Sequence, residues 1–278
     1  MLKLLREMLL FCLPFVIMLF FVIVVDPFDY YAFSGIIAHD KKAKVSYKIN
    51  YALWKLIEFS RKPTPNILLG DSRMNRLKTE VIKKYTQEEY YNFSYGNGTL
   101  EEICKTFWFS ANQIKLKNVY IGLNLNLYNL YISKDRVNGA LSLLDNPLLY
   151  LINRDVIKAS IQLVKENITQ NGSNIEKPEM SREQFWDYQL DVTAKRFYSN
   201  YAYPENYYEE LKKISDFCKE NKIKLVFIIL PTHFSLQKTV LEYNLLEAKN
   251  RFIKDVRSLG DTFDYDYFNN FTKEKNNL

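Results

Sequence analysis

An apolar run near the N-terminus constrains this chain more than any other feature. Leu9–Val25 contains 17 consecutive residues without a charged or strongly polar side chain, and Asp26 and Pro27 follow it. At about 1.5 Å per residue, a helix of this length reaches roughly 26 Å, near the lower limit for crossing the hydrocarbon core of a bilayer. The run therefore predicts an N-terminal membrane anchor over residues 1–26.

Charges before the run predict its orientation. Lys3 and Arg6 precede it, and positive charge tends to stay on the cytoplasmic side, which would leave the body outside. A cleaved signal peptide is the alternative, but no small-x-small cleavage site follows Val25. Pro14 is compatible with a membrane helix. We expect an uncleaved, single-pass signal anchor in the cytoplasmic membrane, with an extracytoplasmic body.

Composition limits the classes of function. The 278 residues are 47% hydrophobic and 25% charged, which is ordinary for a folded chain. The formal net charge is +6, and because basic and acidic residues are interleaved, nucleic acid is not an expected partner. The sequence shows no metal-ligand spacing and no phosphate-binding glycine loop, so no metal or cofactor is expected.

Three cysteines give little indication of a disulfide. Cys12 lies inside the apolar run. Cys104 and Cys218 occupy apolar positions of predicted helices, where buried free thiols are common, although pairing in an oxidising compartment stays open.

The remaining pattern alternates strands and helices. Residues 27–62 predict a connecting segment with a helix at Tyr47–Ser60, and Lys62–Pro65 is a breaker. Strands are predicted at 67–69, 91–94, 118–123, 224–230 and 262–267, and helices between them at 72–84, 99–114, 204–221 and 241–259. This order predicts an α/β fold with a parallel sheet in three α/β/α layers, over residues 63–278. A helical insertion or lid is expected at about 142–200, with a loop at Asn167–Pro178.

Polar and small residues follow each predicted strand. They are Gly70, Asp71, Ser72 and Arg73 after the first, Gly96, Asn97, Gly98 and Thr99 after the second, Asn124 and Asn126 after the third, and Thr232 and His233 after the fourth. Because ligands bind beyond the carboxyl ends of parallel strands, these residues are expected to converge.

These residue types are the ones that acyl-transfer sites use, a serine nucleophile and amide donors for an oxyanion. Ser72 on a strand-to-helix turn is a candidate nucleophile, and Gly96 or Gly98 with Asn124 are candidate donors of an oxyanion hole. Each also has an ordinary structural interpretation. Ser72 would cap the next helix, the glycines and Asn124 would form turns, and His233 would be a loop residue.

In the residues that follow its predicted strands, the sequence resembles the SGNH, or GDSL-like, hydrolases, and the similarity covers roughly residues 60–270. Gly70-Asp71-Ser72 is similar to their first block, Gly96 or Gly98 to the second, and Gly122-Leu123-Asn124 to the third. The resemblance implies a flavodoxin-like sheet. The anchor, Asp26-Pro27-Phe28 and Leu230–His233 resemble a membrane-anchored bacterial subgroup associated with O-acylation of polysaccharide or wall polymers. This implies an acylated glycan, and possible association with a membrane-bound O-acyltransferase, as partners.

One block of the family is missing. The family's base is a histidine in an Asp-x-x-His block, and no histidine follows His233. Three explanations are open: a truncated chain, His233 as a substitute base, or a fold without catalysis. Asp264 or Asp266 would suit a carboxylate that orients a histidine. His39 is expected at the surface, too near the anchor for catalysis.

Two functions from different classes follow. The first is a membrane-anchored serine esterase or O-acyltransferase-related protein acting on extracytoplasmic acylated glycan. The second is a catalytically inactive accessory protein that binds glycan or a membrane-bound O-acyltransferase. A third possibility is an anchored α/β protein in which the Gly-Asp-Ser sequence is accidental.

Overall fold

The computed structural model describes residues 2–32, 36–169 and 181–274. The chain divides into two compact units. The helical unit comprises Met1–Lys62 and Arg136–Lys177, and the sheet unit comprises Pro63–Asp135 and Pro178–Leu278. The residues of the insertion expected at about 142–200 are divided between these two units. Much of the loop expected at 167–178 lies outside the described residues.

The helices of the described chain are α1 (Leu2–Val25), α2 (His39–Arg61), α3 (Ser72–Asn75), α4 (Thr79–Thr86), α5 (Leu100–Gln113), α6 (Arg136–Asp145), α7 (Pro147–Ile152), α8 (Arg154–Thr169), α9 (Arg182–Asp187), α10 (Lys195–Tyr198), α11 (Glu205–Glu220), α12 (Phe234–Glu242), α13 (Leu246–Leu259) and α14 (Asn270–Lys273). A short 3₁₀ turn spans Leu125–Leu127, and a π-helix spans Tyr188–Ala194. The strands are β1 (Asn66–Leu69), β2 (Tyr91–Asn92), β3 (Asn118–Leu123), β4 (Lys224–Ile229) and β5 (Asp261–Asp264).

Helix α1 confirms the long apolar helix predicted at the N-terminus. Its segment Arg6–Val25 has 20 residues with a mean hydropathy of 3.2, which is long and apolar enough to cross a membrane. Only its last turns are covered, where Val25 packs with Ile37, Val45 and Leu163. This cluster joins α1, α2 and α8 within the helical unit.

Helix α2 is longer than predicted and kinked. It begins at His39 instead of Tyr47, and its backbone leaves helical geometry at Asn50, with φ −147° and ψ 82°. The Asn50 side chain accepts from the Leu53 N–H at 3.0 Å and donates to Asp155 of α8 at 3.0 Å. An asparagine that caps the second half of the helix accounts for the kink.

A buried charge network holds the loop after α1. The Asp26 side chain is fully buried and accepts from the backbone N–H groups of Tyr31 and Ala32 at 3.2 and 3.1 Å. Burial raises the pKa of Asp26. Asp29 pairs with Lys42, also fully buried, at 2.6 Å, and with His39 at 2.6 Å. Burial opposes ionisation of Asp29, but these two partners lower its pKa overall.

The sheet unit confirms the predicted α/β fold with a parallel sheet. Five strands run parallel in the order β2-β1-β3-β4-β5. The chain leaves β1 towards β2 on one side and continues with β3 on the other, so the topological switch point lies between β1 and β3. Ligands of open parallel sheets bind beside that point, at the carboxyl ends of the strands.

Helices cover this sheet in two groups. Helix α11 contacts both α5 and α13. Crossovers between parallel strands are right-handed, so the β1–β2 connection through α3 and α4 lies on the opposite face. On that face Leu68, Met74, Tyr90 and Leu230 form a buried cluster, with Ile82 packed against it.

Two predicted helices are each interrupted. The helix expected at 72–84 divides into α3 and α4, and the one expected at 241–259 begins only at Leu246 as α13, because the preceding α12 ends at Glu242. Asn244, between α12 and α13, has φ 57°, a left-handed conformation that ends a helix. Cys104 on α5 and Cys218 on α11 are free and buried, and burial raises the pKa of each thiol to about 12.

Candidate functional site

The turn after β1 is built around Gly70. A Cβ atom at this position would lie 2.7 Å from Met74 Cβ and 3.1 Å from the Gly122 carbonyl oxygen. These approaches leave no room for a side chain, because real Cβ atoms do not come this close to such neighbours. The glycine therefore allows β1 to turn directly into α3.

Asp71, and not Ser72, caps α3. The buried Asp71 carboxylate accepts from the Arg73 backbone N–H at 2.9 Å, which is the standard N-cap hydrogen bond. The capping interpretation of Ser72 is therefore wrong. Ser72 is exposed at the first helical position, and its hydroxyl forms no hydrogen bond with the part of the chain that the structure describes.

Asp71 also joins two strand ends. Its second carboxylate oxygen accepts from Asn124 Nδ2 at 2.8 Å and from Arg73 Nε at 3.2 Å. Asn124 follows β3, is 2% exposed, and accepts from the Leu127 N–H at 3.2 Å through its Oδ1. The first and third predicted blocks therefore meet across the switch point. Asn124 is a structural link between them, and its role in an oxyanion hole stays a prediction.

The loop after β2 contacts the same turn. The Tyr95 N–H donates to the Gly70 carbonyl at 3.0 Å, and a Cβ on Gly98 would lie 3.1 Å from that carbonyl. The Gly98 N–H donates to the Tyr95 carbonyl at 3.0 Å, so this amide is already engaged. Gly96 is exposed, and a Cβ there would meet nothing within 4 Å. Of the two predicted glycines, Gly96 has the more open surroundings.

His233 lies in a different environment. It is 1% exposed, and it caps α12 because its Nδ1 accepts from the Ser235 N–H at 3.2 Å. Its Nε2 lies 3.1 Å from the Lys273 carbonyl oxygen, which requires the proton to be on Nε2. The ring packs against Trp186, with centroids 4.6 Å apart. With both nitrogens held by the backbone, His233 is not placed to act as a substitute base.

Asp264 and Asp266, the carboxylates that could orient a histidine, already accept hydrogen bonds from other groups. Asp266 accepts from the Thr232 N–H at 3.0 Å, from Gln237 Nε2 at 3.3 Å and from Lys249 Nζ at 2.7 Å. Asp264 accepts from the Asp266 N–H at 3.0 Å. These carboxylates fix the end of β5 to β4 and α13. His39, the other histidine, is exposed in the helical unit, as expected, and pairs with Asp29.

The structure adds Tyr198 to the residues expected at the strand ends, and it gives contacts for Arg73 and Asn126, to which the sequence assigns no role. Arg73 Nη1 is buried and has no hydrogen-bond partner among the described residues. Tyr198 donates to Asn126 Oδ1 at 3.1 Å. Burial raises the pKa of Tyr198, the positive charge of Arg73 opposes this rise, and Asp266 adds to it. Arg73 and Asn126 adjoin recognised blocks, whereas no sequence pattern identifies Tyr198.

The segment from α9 to α10 contacts residues that follow β3 and β4. Trp186 contacts His233 after β4, and Tyr198 reaches Asn126 after β3. Asn129, fully buried, fixes the segment by donating to the Phe197 carbonyl at 2.8 Å. This part of the expected insertion therefore lies at the carboxyl ends of β3 and β4.

A surface cavity of about 360 Å³ lies elsewhere in the sheet unit. Its walls come from the C-terminal end of α5 with the residues after it, and from the end of α11, where Phe217, Asn221 and Ile223 line it. Since β3 and β4 begin next to these helix ends, the cavity lies at the amino ends of the strands. It is therefore separate from the Ser72 turn.

No protein-family model matches the chain, and no curated protein sequence matches it either.

Proposed function

We propose that this chain is a membrane-anchored, SGNH-like serine esterase or O-acyltransferase-related protein, with Ser72 as the nucleophile. The observation that carries the proposal is the exposed Ser72 hydroxyl beside the switch point of the sheet. Asp71 caps α3 in its place. This division of roles leaves the serine oxygen available for attack on an ester carbonyl.

The surroundings of Ser72 suit a developing oxyanion. The first N–H groups of a helix have no intrahelical partner; in α3 the Arg73 N–H already donates to Asp71, so the proposed backbone donor is the N–H of Ser72 itself. Gly96 and Asn124 are the further donors that we propose. The buried Asp71–Asn124 hydrogen bond supports this assignment because it fixes the Asn124 amide next to the Ser72 turn. One such donor typically contributes about 2.7–4 kcal/mol to transition-state stabilisation.

The proposed reaction needs a base. A serine hydroxyl is a weak nucleophile until a base takes its proton. Of the two histidines in the sequence, His233 is held by the backbone and His39 pairs with Asp29. The enzyme proposal therefore requires a base other than these two side chains.

The anchor supports the proposed location, and the resemblance of the sequence blocks supports the proposed substrate. Lys3 and Arg6 precede the apolar part of α1, which favours a cytoplasmic N-terminus and a body outside the membrane. The acylated glycan or wall polymer, and the association with a membrane-bound O-acyltransferase, derive from the resemblance of the blocks. A three-layer, flavodoxin-like body of the SGNH type belongs to the same proposal.

The experiment is covalent labelling with a fluorophosphonate probe. The protein is prepared from its natural reading frame, and labelling is compared in wild type, Ser72→Ala and Ser235→Ala. Ser235 is a matched control because it also lies in the first turn of a helix after a strand. We expect labelling of wild type and Ser235→Ala, and its loss in Ser72→Ala. A folded wild-type protein without labelling would contradict the proposal.

The accessory function is the second candidate, and the engagement of His233 favours it. A protein of this kind would bind acylated glycan without turning it over. Its expected results are no labelling, together with binding of acetylated polysaccharide that weakens in Ser72→Trp, where a large side chain fills the exposed position. Labelling at Ser72 would exclude this candidate.

A further inference from the structure

Helix α7 exposes an apolar face on the helical unit. Leu148, Leu149 and Ile152 are exposed by 72%, 44% and 59%, while Tyr150 and Leu151 are buried. The sequence of α7, PLLYLI, contains no charge. This helix contacts α1, the candidate membrane span. An uncharged helix with large apolar side chains facing outward is unusual at a water-exposed surface.

Helix α8 extends this apolar face. Ile157, Ile161 and Val164 recur four and three residues apart, so they share one side of the helix. Val164 packs on the cluster that contains Val25 of α1, and Ile161 is 57% exposed. The exposed apolar surface of α8 therefore lies on the side of the helix that packs on α1.

The exposed part of α1 is too short to cross a bilayer without the residues that other helices cover. From Met8 the side chains of α1 are exposed through Ile17; beyond that residue Phe20 is still 66% exposed, but Met18, Leu19 and Phe21 are partly covered and Val22 and Val25 are buried. The apolar part whose side chains are exposed without interruption, residues 8–17, is only about 15 Å long at 1.5 Å per residue. A hydrocarbon core is about 30 Å thick. Only the whole of Arg6–Val25, about 30 Å, matches that thickness.

A second observation locates α7 along α1. Tyr30, just after the span, stacks on Tyr150 of α7 with centroids 4.2 Å apart, and its hydroxyl donates to the Leu144 carbonyl at 2.8 Å. Tyr31 lies edge-on to Tyr150 at 5.9 Å. Tyrosine side chains are typical of the level at which the hydrocarbon meets the headgroups.

We propose that α7 and Ile161 of α8 are immersed in the bilayer beside the C-terminal turns of α1. If α1 spans the core, its covered residues lie in lipid, and the helices that cover them lie there as well. The occupant of the apolar face is then the acyl chains of phospholipids. Arg154 and Lys158 are exposed on α8 and can reach lipid phosphates with their side chains. This inference depends on the membrane anchoring included in the proposed function.

Lipid-quenching of single labels tests the proposal. Leu148→Cys and Ile152→Cys are made in the full chain with Cys12→Ala, labelled with an environment-sensitive fluorophore, and placed in phosphatidylcholine nanodiscs. Cys104 and Cys218 are buried, with pKa values near 12, so they stay unlabelled at neutral pH. We expect nitroxide lipids to quench both labels at least twofold, and aqueous iodide to have little effect.

Two control positions separate the possible failures. Val16→Cys reports on the exposed part of α1, and Arg61→Cys reports on an exposed residue at the end of α2. Lipid quenching at Val16, with Leu148 and Ile152 no more quenched than Arg61, would overturn the immersion of α7 and leave the anchor intact. Absence of quenching at Val16 as well would overturn both the span and this inference.

Discussion

The turns after β1 and β4 place their candidate catalytic residues, Ser72 and His233, in opposite environments. After β1, Asp71 caps the next helix and Ser72 is exposed. After β4, His233 itself caps the next helix and is 1% exposed. A shift of one residue relative to the cap therefore decides whether a reactive side chain faces solvent or the backbone. In this sheet, the first turn leaves its hydroxyl exposed to solvent, and the second holds its imidazole against the backbone.

The largest expected effect is on the structural turn. Changing His233→Ala removes the N-cap of α12 and the ring that packs on Trp186. A lost cap costs about 0.5–2 kcal/mol, and a buried ring lost to alanine costs several kcal/mol, so we expect a total of about 3 kcal/mol. His233→Asn keeps a capping oxygen and is expected to recover about 1 kcal/mol. Urea unfolding measures both, and equal stability of His233→Ala and wild type would remove the contrast between the turns.

Gly70 is expected to tolerate substitution less well than Gly96. Gly70→Ala places a Cβ 2.7 Å from Met74 Cβ, and overpacking of this kind costs about 1–3 kcal/mol. Gly96→Ala meets nothing within 4 Å and should change stability by no more than about 0.5 kcal/mol. Thermal unfolding of the two variants compares them. Similar losses in both would show that the turn after β1 is not as tightly built as described.

The Asp71–Asn124 link is expected to show energetic coupling. A double-mutant cycle with Asp71→Ala and Asn124→Ala isolates this pair, whose atoms lie 2.8 Å apart. We expect a coupling free energy of about 1 kcal/mol or more, because a buried hydrogen bond to a charged group contributes about 1.5–3 kcal/mol. The cycle Asp71→Ala with Gln237→Ala is the control, since Gln237 bonds to Thr232 and Asp266 instead. Coupling near zero in the first cycle would mean that the strand ends are not joined.

Ser72 is expected to matter least for stability. Its side chain is exposed and Asp71 provides the cap, so Ser72→Ala should change the free energy of unfolding by less than about 0.5 kcal/mol. Asp71→Ala should cost at least about 2 kcal/mol, because it removes both the N-cap bond and the buried bond from Asn124. Urea unfolding of the two variants side by side checks the assignment. A larger loss in Ser72→Ala than in Asp71→Ala would return the capping role to the serine.

The sequence predicts the sheet well because buried parallel strands are continuous apolar runs. β1, β3 and β4 appear within one residue of the predicted bounds, whereas β2 and β5, at the edges, are shorter than predicted. Edge strands pair on one side only, so residues such as Phe93 continue the apolar pattern after regular pairing ends. The kink at Asn50 combines a local cap on the Leu53 N–H with a bond to Asp155, which is distant in the sequence, and the apolar pattern of α2 shows neither.

The candidate site is predictable only in part. Gly70, Asp71 and Asn124 meet as their order after parallel strands implies. Asp71 and Ser72 are both common N-cap residues. Residue type alone therefore does not predict which of them caps α3. The burial of His233 depends on Trp186 and on the Lys273 carbonyl, both distant in sequence. Tertiary contacts of this kind decide whether a side chain is free to react. A sequence motif predicts only where in the fold that side chain lies.

The most direct test of the contrast between the two turns is the site of fluorophosphonate attachment, determined by mass spectrometry of peptides from the folded, labelled protein. We predict a single modified residue, Ser72, with Ser235 and the remainder of the α12 turn unmodified. Labelling that persists in Ser72→Ala, or attachment at Ser235, would contradict the assignment of the β1 turn as the reactive one.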